Sequence, residues 1–130
     1  MSSFPQKYFF IFSNSPDSEI HHNSMNAGLR LALTLLMDEY EVYILLTEKA
    51  IFLAKQQEEK PETDVTDEEV SFTPYELLDG IISFGGQVMT CKSSLTLTDL
   101  KAEEIIDGVE ILHLQRATKI MIDCHQVMVF

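Results

Sequence analysis

Apolar positions along this chain fall into two alternating patterns. Short continuous runs predict buried strands, and runs spaced by three and four predict helices. Lys7 to Ser13 is an aromatic and β-branched run closed by Asn14-Ser15-Pro16-Asp17, so it predicts a fully buried strand followed by a turn. Met25, Leu29, Ala32, Leu33, Leu36 and Tyr40 then mark one face of a helix that starts between Asp17 and Ser24. Leu31 and Leu35 widen that face, so the helix is expected to be largely enclosed. Glu41 to Thr47 predicts a second buried strand. Strand, helix and strand in succession imply a parallel pair with a right-handed crossover.

Glu48 to Lys55 predicts a short helical piece. The clearest local signal is Phe72-Thr73-Pro74-Tyr75-Glu76-Leu77. Thr73 is the expected N-cap, Pro74 takes the first helical position, and Glu76 completes a capping box. Phe72 and Leu77 have the spacing of a hydrophobic staple. Leu78, Ile81 and Ile82 face the core, and Gly85-Gly86 stop the helix. Val88 to Cys91 predicts a third strand, and Lys92 to Leu97 a polar turn or helical start. Thr98 is expected to cap a helix from Asp99 to Ile106, ended by Asp107-Gly108. Val109 to Leu112 predicts a fourth strand, and Leu114 to Asp123 a helix with Ala117, Ile120 and Met121 inward. Gln126 to Phe130 is the last strand. The class is therefore α/β: three layers, α/β/α, around a five-stranded, mainly parallel open sheet covered on both faces. No internal repeat is visible, and 130 residues is the size of a single domain.

Charge adds one feature to this picture. The formal net charge is -12, from 21 acidic and 9 basic residues. Such a surface repels phosphate backbones and anionic lipid, so neither nucleic acid nor a membrane is an expected partner. No apolar run approaches the length of a membrane span. Half of the net charge sits between Gln56 and Glu69, and residues 56 to about 71 are expected to form an exposed acidic loop.

Candidate chemistry centres on Cys91. Two cysteines, Cys91 and Cys124, are too few for a disulfide framework and fit no zinc spacing, which points to a reducing, cytoplasmic compartment. Cys91 stands where the third strand gives out, and open α/β sheets hold ligands beyond the carboxyl ends of their strands. If Ser93 and Ser94 open a helical turn, their N–H groups favour a thiolate, and Lys92 adds a positive charge nearby. Ser13 and Asn14 would line the same crevice. The ordinary alternative for Cys91 is a small buried residue closing a core strand. Cys124 is expected to be structural, at the opposite end of the sheet. His21 and His22 are adjacent and cannot easily converge on one ion, so no metal site is expected, and His113 and His125 look structural. The turn after the first strand lacks glycine, which argues against a dinucleotide and, more weakly, against a flavin. No cofactor is expected.

This order of segments resembles the DsrE/DsrF-like family of small sulfur-relay proteins. The resemblance rests on Lys7 to Ser13, Asn26-Ala27-Gly28-Leu29-Arg30-Leu31-Ala32-Leu33, Glu41 to Thr47, Asp107-Gly108-Val109-Glu110-Ile111, and Gln126 to Phe130. It covers nearly the whole chain except the acidic loop. It implies a cysteine after the third strand that carries sulfur as a persulfide between donor and acceptor proteins, and Cys91 falls on that position. Some relatives have a second cysteine three residues later; here that residue is Ser94, so a local dithiol pair is absent. The resemblance also implies a homo-oligomer, a trimer or hexamer. Two other functions stay open. One is a non-catalytic oligomeric protein that binds a small ligand or partner near Ser13, Asn14 and Cys91. The other is a flavodoxin-like cofactor enzyme, against which the missing phosphate loop weighs.

Overall fold

Eleven segments of regular backbone follow one another in a computed structural model that describes residues 6–18, 22–56 and 73–130. They are β1 (Lys7–Phe12), α1 (His22–Met37), β2 (Glu41–Leu46), a 3-10 helix (Glu48–Ala54), α2 (Pro74–Ser83), β3 (Gln87–Cys91), α3 (Lys92–Thr98), a 3-10 turn (Ala102–Glu104), β4 (Val109–Leu112), α4 (Leu114–Ile122) and β5 (Gln126–Val129). Apart from Gln56, the predicted acidic loop lies outside the described residues, as does Phe72 of the predicted staple.

The five strands form one sheet in the order β4-β3-β2-β1-β5, with every pair parallel. The chain steps outwards from β1 to β4, then crosses back to place β5 on the far side of β1. With right-handed crossovers, the outward steps put their helices on one face and the return step puts its helix on the other. The core divides accordingly. Phe10, Phe12, Ile44, Leu46 and Val88 pack under α1, α2, α3 and the 3-10 helix. Phe9, Leu45, Met89 and Leu112 pack under Ala117, Ile120 and Met121 of α4.

The second face carries a single nine-residue helix. Val129 is 69% exposed on β5, and Ile122 of α4 is 72% exposed, so apolar surface remains open there. Leu31 departs from its expected place inside: it is 49% exposed, because α1 lies in an outer layer and turns Met25, Gly28, Leu29 and Ala32 inward. Tyr40 falls after the end of α1, and its ring meets Tyr8 edge-on at 5.5 Å.

The start of α2 keeps half of its predicted cap. The Glu76 N–H donates to the Thr73 hydroxyl at 3.2 Å, and Pro74 occupies the first turn. The Glu76 carboxylate accepts from that same hydroxyl, at 3.2 Å, rather than from the Thr73 N–H. Gly85-Gly86 end the helix by a Schellman pattern. Gly86 N–H reaches the Ile81 carbonyl at 2.8 Å, Gly85 N–H reaches that of Ile82 at 3.1 Å, and Gly85 has φ +94°.

Candidate functional site

The strand ends are level where the site lies. Register aligns Phe12 with Leu46, Leu46 with Thr90, and Thr90 with Ile111. The next residues out are Ser13, Thr47, Cys91 and Leu112, so Cys91 stands in the row at the carboxyl edge. Buried Thr90 fixes this edge by donating its hydroxyl to the Leu46 carbonyl at 2.7 Å.

The chain turns straight from Cys91 into α3, and this differs from the expected order of elements. The helix runs over Lys92–Thr98, not from Asp99. Thr98 is not its N-cap; the Thr98 hydroxyl donates back to the Ser94 carbonyl at 2.7 Å. Asp99 ends the helix in the left-handed region at φ 57°, which Asp tolerates better than most residues. Low-propensity Ser and Thr leave Lys92 to Leu97 readable as either a polar turn or a helical start; what settles it as helix is burial of Ser94 and Leu95 against the 3-10 helix.

Early entry into α3 brings two hydroxyls onto the sulfur. Cys91 Sγ lies 3.2 Å from Ser93 Oγ and 3.0 Å from Ser94 Oγ. Burial pushes the thiol up. Hydrogen bonds with the two serine hydroxyls, helped by the nearby Ser94 and Cys91 N–H groups, outweigh it, and the thiol ends below its ordinary range. Cys91 makes no side-chain capping hydrogen bond of ordinary geometry, so the N–H contribution is one of orientation. Both partners are enclosed: Cys91 is 3% exposed and Ser94 2%.

The other predicted site residues separate into two groups. Ser93 and Ser94 join Cys91 as expected. Lys92 is exposed and is not among the causes of the thiol's shift, so donors rather than a cation lower it. Ser13 and Asn14 sit at the end of β1, two strand spacings or roughly 10 Å from the β3 edge. Ser13 is turned the other way, with its N–H 3.3 Å and its hydroxyl 3.5 Å from the Phe130 carbonyl. The carboxyl-end crevice of the switch point thus lies between β1 and β5, away from Cys91.

Cys124 occupies the opposite end of the sheet. Its surroundings include Lys7 and Glu41, at the amino ends of β1 and β2, and its thiol donates to the Ile120 carbonyl at 3.4 Å. Burial pushes this thiol up; Asp123 and Glu41 add to the rise, and Lys7 opposes it. His125 is structural. Its Nδ1 accepts from Lys7 N–H at 2.9 Å, and its own N–H donates to the Lys7 carbonyl at 2.8 Å. The side chains of His21 and His22 lie outside the described residues. Among the described residues, no group of three or more His, Cys, Asp and Glu could hold a metal ion, and no helix is long and apolar enough to cross a membrane.

One participant was not readable beforehand. Glu48 has φ 51°, and its N–H donates to Ser94 Oγ at 3.1 Å. Glycine would have signalled such a turn, whereas glutamate gives no sign of it.

A five-stranded, all-parallel sheet with helices on both faces makes this a three-layer α/β protein. The chain belongs to the DsrE/DsrF-like family, whose model matches residues 6–130. It is 31% identical over 85 residues to the uncharacterised protein MJ0989 of Methanocaldococcus jannaschii, covering 65% of this chain and 68% of that one. It is 33% identical over 84 residues to the uncharacterised protein MK0008 of Methanopyrus kandleri, covering 65% and 63% respectively. In fold it is similar to the ychN protein of E. coli, with TM-score 0.76 and 23% identity over 96% of this chain and 99% of that one. It also matches MTH1491 of Methanobacterium thermoautotrophicum, a protein of unknown function, with TM-score 0.61 and 9% identity over 96% and 99% of the two chains.

Proposed function

We propose that this chain carries sulfur as a persulfide on Cys91. The observation that carries this reading is the sulfur's setting: two hydroxyls at 3.2 and 3.0 Å, at a strand end, in a member of the DsrE/DsrF-like family. Donors held around a sulfur favour its anion, and the thiolate is the form that attacks. The Cys91 thiolate attacks the outer sulfur of a donor persulfide, R–S–SH. A new S–S bond forms, the donor's S–S bond breaks, and the donor leaves as the thiolate RS⁻. Cys91 then holds S–SH until an acceptor nucleophile takes the outer sulfur and Cys91 leaves as a thiolate. The protein is on this reading a transfer partner, without turnover chemistry of its own.

A second reading is a non-catalytic oligomeric protein that binds a small ligand or partner, with Cys91 as part of the core. The 3% exposure of Cys91 favours it. Intact mass after incubation with a persulfide donor separates the two. The carrier gains one sulfur, retains the gain in Cys124→Ala and loses it in Cys91→Ala. No gain in the wild-type chain favours the binding protein.

Homo-oligomerisation, as a trimer or hexamer, is part of both readings. It is supported by the apolar surface open on the α4 side, where Val127, Val129 and Ile122 are 42%, 69% and 72% exposed. Sedimentation should give three or six times the 14.8 kDa chain mass, and Val129→Lys should lower it. A monomer at micromolar concentration contradicts the assembly.

A further inference from the structure

Ser94 has one hydroxyl proton to place and two lone pairs to satisfy. The Glu48 N–H, at 3.1 Å, already donates to its oxygen. That N–H is not free to turn away. Glu48 sits at φ 51°, in a region few side chains other than Asn and Asp adopt. The turn is pinned from both sides: Thr47 N–H donates to the Phe12 carbonyl at 2.9 Å, and Ala50 N–H to the Thr47 carbonyl at 3.0 Å. The hydroxyl's other close partner is Cys91 Sγ, at 3.0 Å. Ser94 is 2% exposed, so water does not compete for its proton. Ser93, at 3.2 Å from the same sulfur, is exposed and can turn to solvent.

We infer that Ser94 is a positioning residue, whose hydroxyl is held as a donor to the Cys91 sulfur: the Glu48 backbone N–H fixes one lone pair of its oxygen, and the sulfur stands 3.0 Å away as the acceptor for its proton. This rests on the carrier reading for its purpose, but not for its geometry. A thiolate has no proton, so it needs donors around it; Ser94 is oriented as one before the proton leaves. Departure of Cys91 as a thiolate, when an acceptor takes its outer sulfur, is favoured in the same way. The charged and titratable positions at this end of the surrounding elements are Glu48 and Lys49 of the 3-10 helix, Lys92 and Asp99 around α3, and His113 and Arg116 at the start of α4. None of them is among the causes of the Cys91 shift, which leaves the hydroxyls and N–H groups as its source.

The test is the pH profile of thiolate absorbance in the full chain, with Cys124→Ser removing the second thiol. Ser94→Ala should lower the thiolate fraction near neutral pH about tenfold or more, the scale of a hydrogen bond to a charged group. Ser93→Ala should lower it by about twofold, as for a donor shared with water. Glu48→Gly keeps the N–H and suits the positive φ, so its profile should match the parent. An unchanged profile in Ser94→Ala overturns the inference. If Ser94→Ala does not fold, Ser93→Ala decides: a tenfold fall there makes Ser93 the main donor and overturns it. The profile needs no persulfide. Failure of sulfur loading with the expected profile rejects the carrier and keeps the donor; loading with an unchanged Ser94→Ala profile does the reverse.

Discussion

Phe12→Ala should destabilise the protein by about 3–5 kcal/mol, the usual cost of deleting a large aromatic side chain from a core. A domain of this size has roughly 5–15 kcal/mol in total, so the loss removes a large share of it. The reason lies in how β1 meets α1. Phe12 is 0% exposed and stacks on Phe130, with ring centroids 5.3 Å apart and planes at 17°. Phe10 stacks on Phe130 as well, at 5.9 Å and 7°. The helix crosses this stack at Gly28. A β-carbon there would lie 2.7 Å from Phe12 Cε1, on a fully buried ring with little room to move, and 3.0 Å from Phe130 Cδ1. The same contact makes Gly28→Ala unfavourable: overpacking costs about 1–3 kcal/mol, and the gain in helix propensity returns about 1. In the Phe12→Ala background the two closest approaches, both to Phe12, are gone and only the 3.0 Å approach to Phe130 Cδ1 remains, so the two changes should be non-additive. Urea midpoints of the two single variants and the double variant check this. Additive losses would mean that α1 does not rest on the ring.

The same contrast between pattern and fine geometry runs through the rest of the chain. Strand positions were legible because these parallel strands read as short, largely apolar runs, even β5, which is mostly exposed, and all five lie within a residue of their expected ends. Caps with dedicated residues were legible too: Thr73-Pro74 and Gly85-Gly86 do what their chemistry dictates. α3 was legible only as a polar turn or helical start over Lys92 to Leu97, because Ser93, Ser94, Thr96 and Thr98 are weak helix formers and tertiary packing overrides their preference. The site shared this fate. Cys91 and its two serines were legible from their place after β3. That Ser13 lies two strands away depends on strand order, which sequence spacing does not reveal. The left-handed turn at Glu48 depends on contacts between segments 46 residues apart.

Cys91 should react faster than Cys124 with a small alkylating reagent near neutral pH, and the advantage should shrink in two directions. The first is pH. Hydrogen bonds hold the Cys91 thiol below its ordinary range, while burial and nearby carboxylates hold Cys124 above it. At low pH both thiolate fractions fall together, and their ratio stays at its highest. As pH rises through the Cys91 midpoint, Cys91 is already ionised and gains no more, whereas Cys124 continues to gain. The ratio of rates therefore falls with rising pH. Lower basicity also makes a thiolate a weaker nucleophile, but only by about half of the ionisation gain on a logarithmic scale, so Cys91 keeps a net advantage while it is partly protonated. The second direction is size. Cys91 is 3% exposed, whereas Cys124 is half-buried. A bulky maleimide should lose rate at Cys91 far more than at Cys124, so iodoacetamide and a bulky maleimide should rank the two thiols differently. Peptide-level mass spectrometry of timed, quenched reactions reads both ratios. Faster labelling of Cys124 by the small reagent across the whole pH range would show that enclosure outweighs ionisation, and that Cys91 needs a movement of α3 before it can accept sulfur.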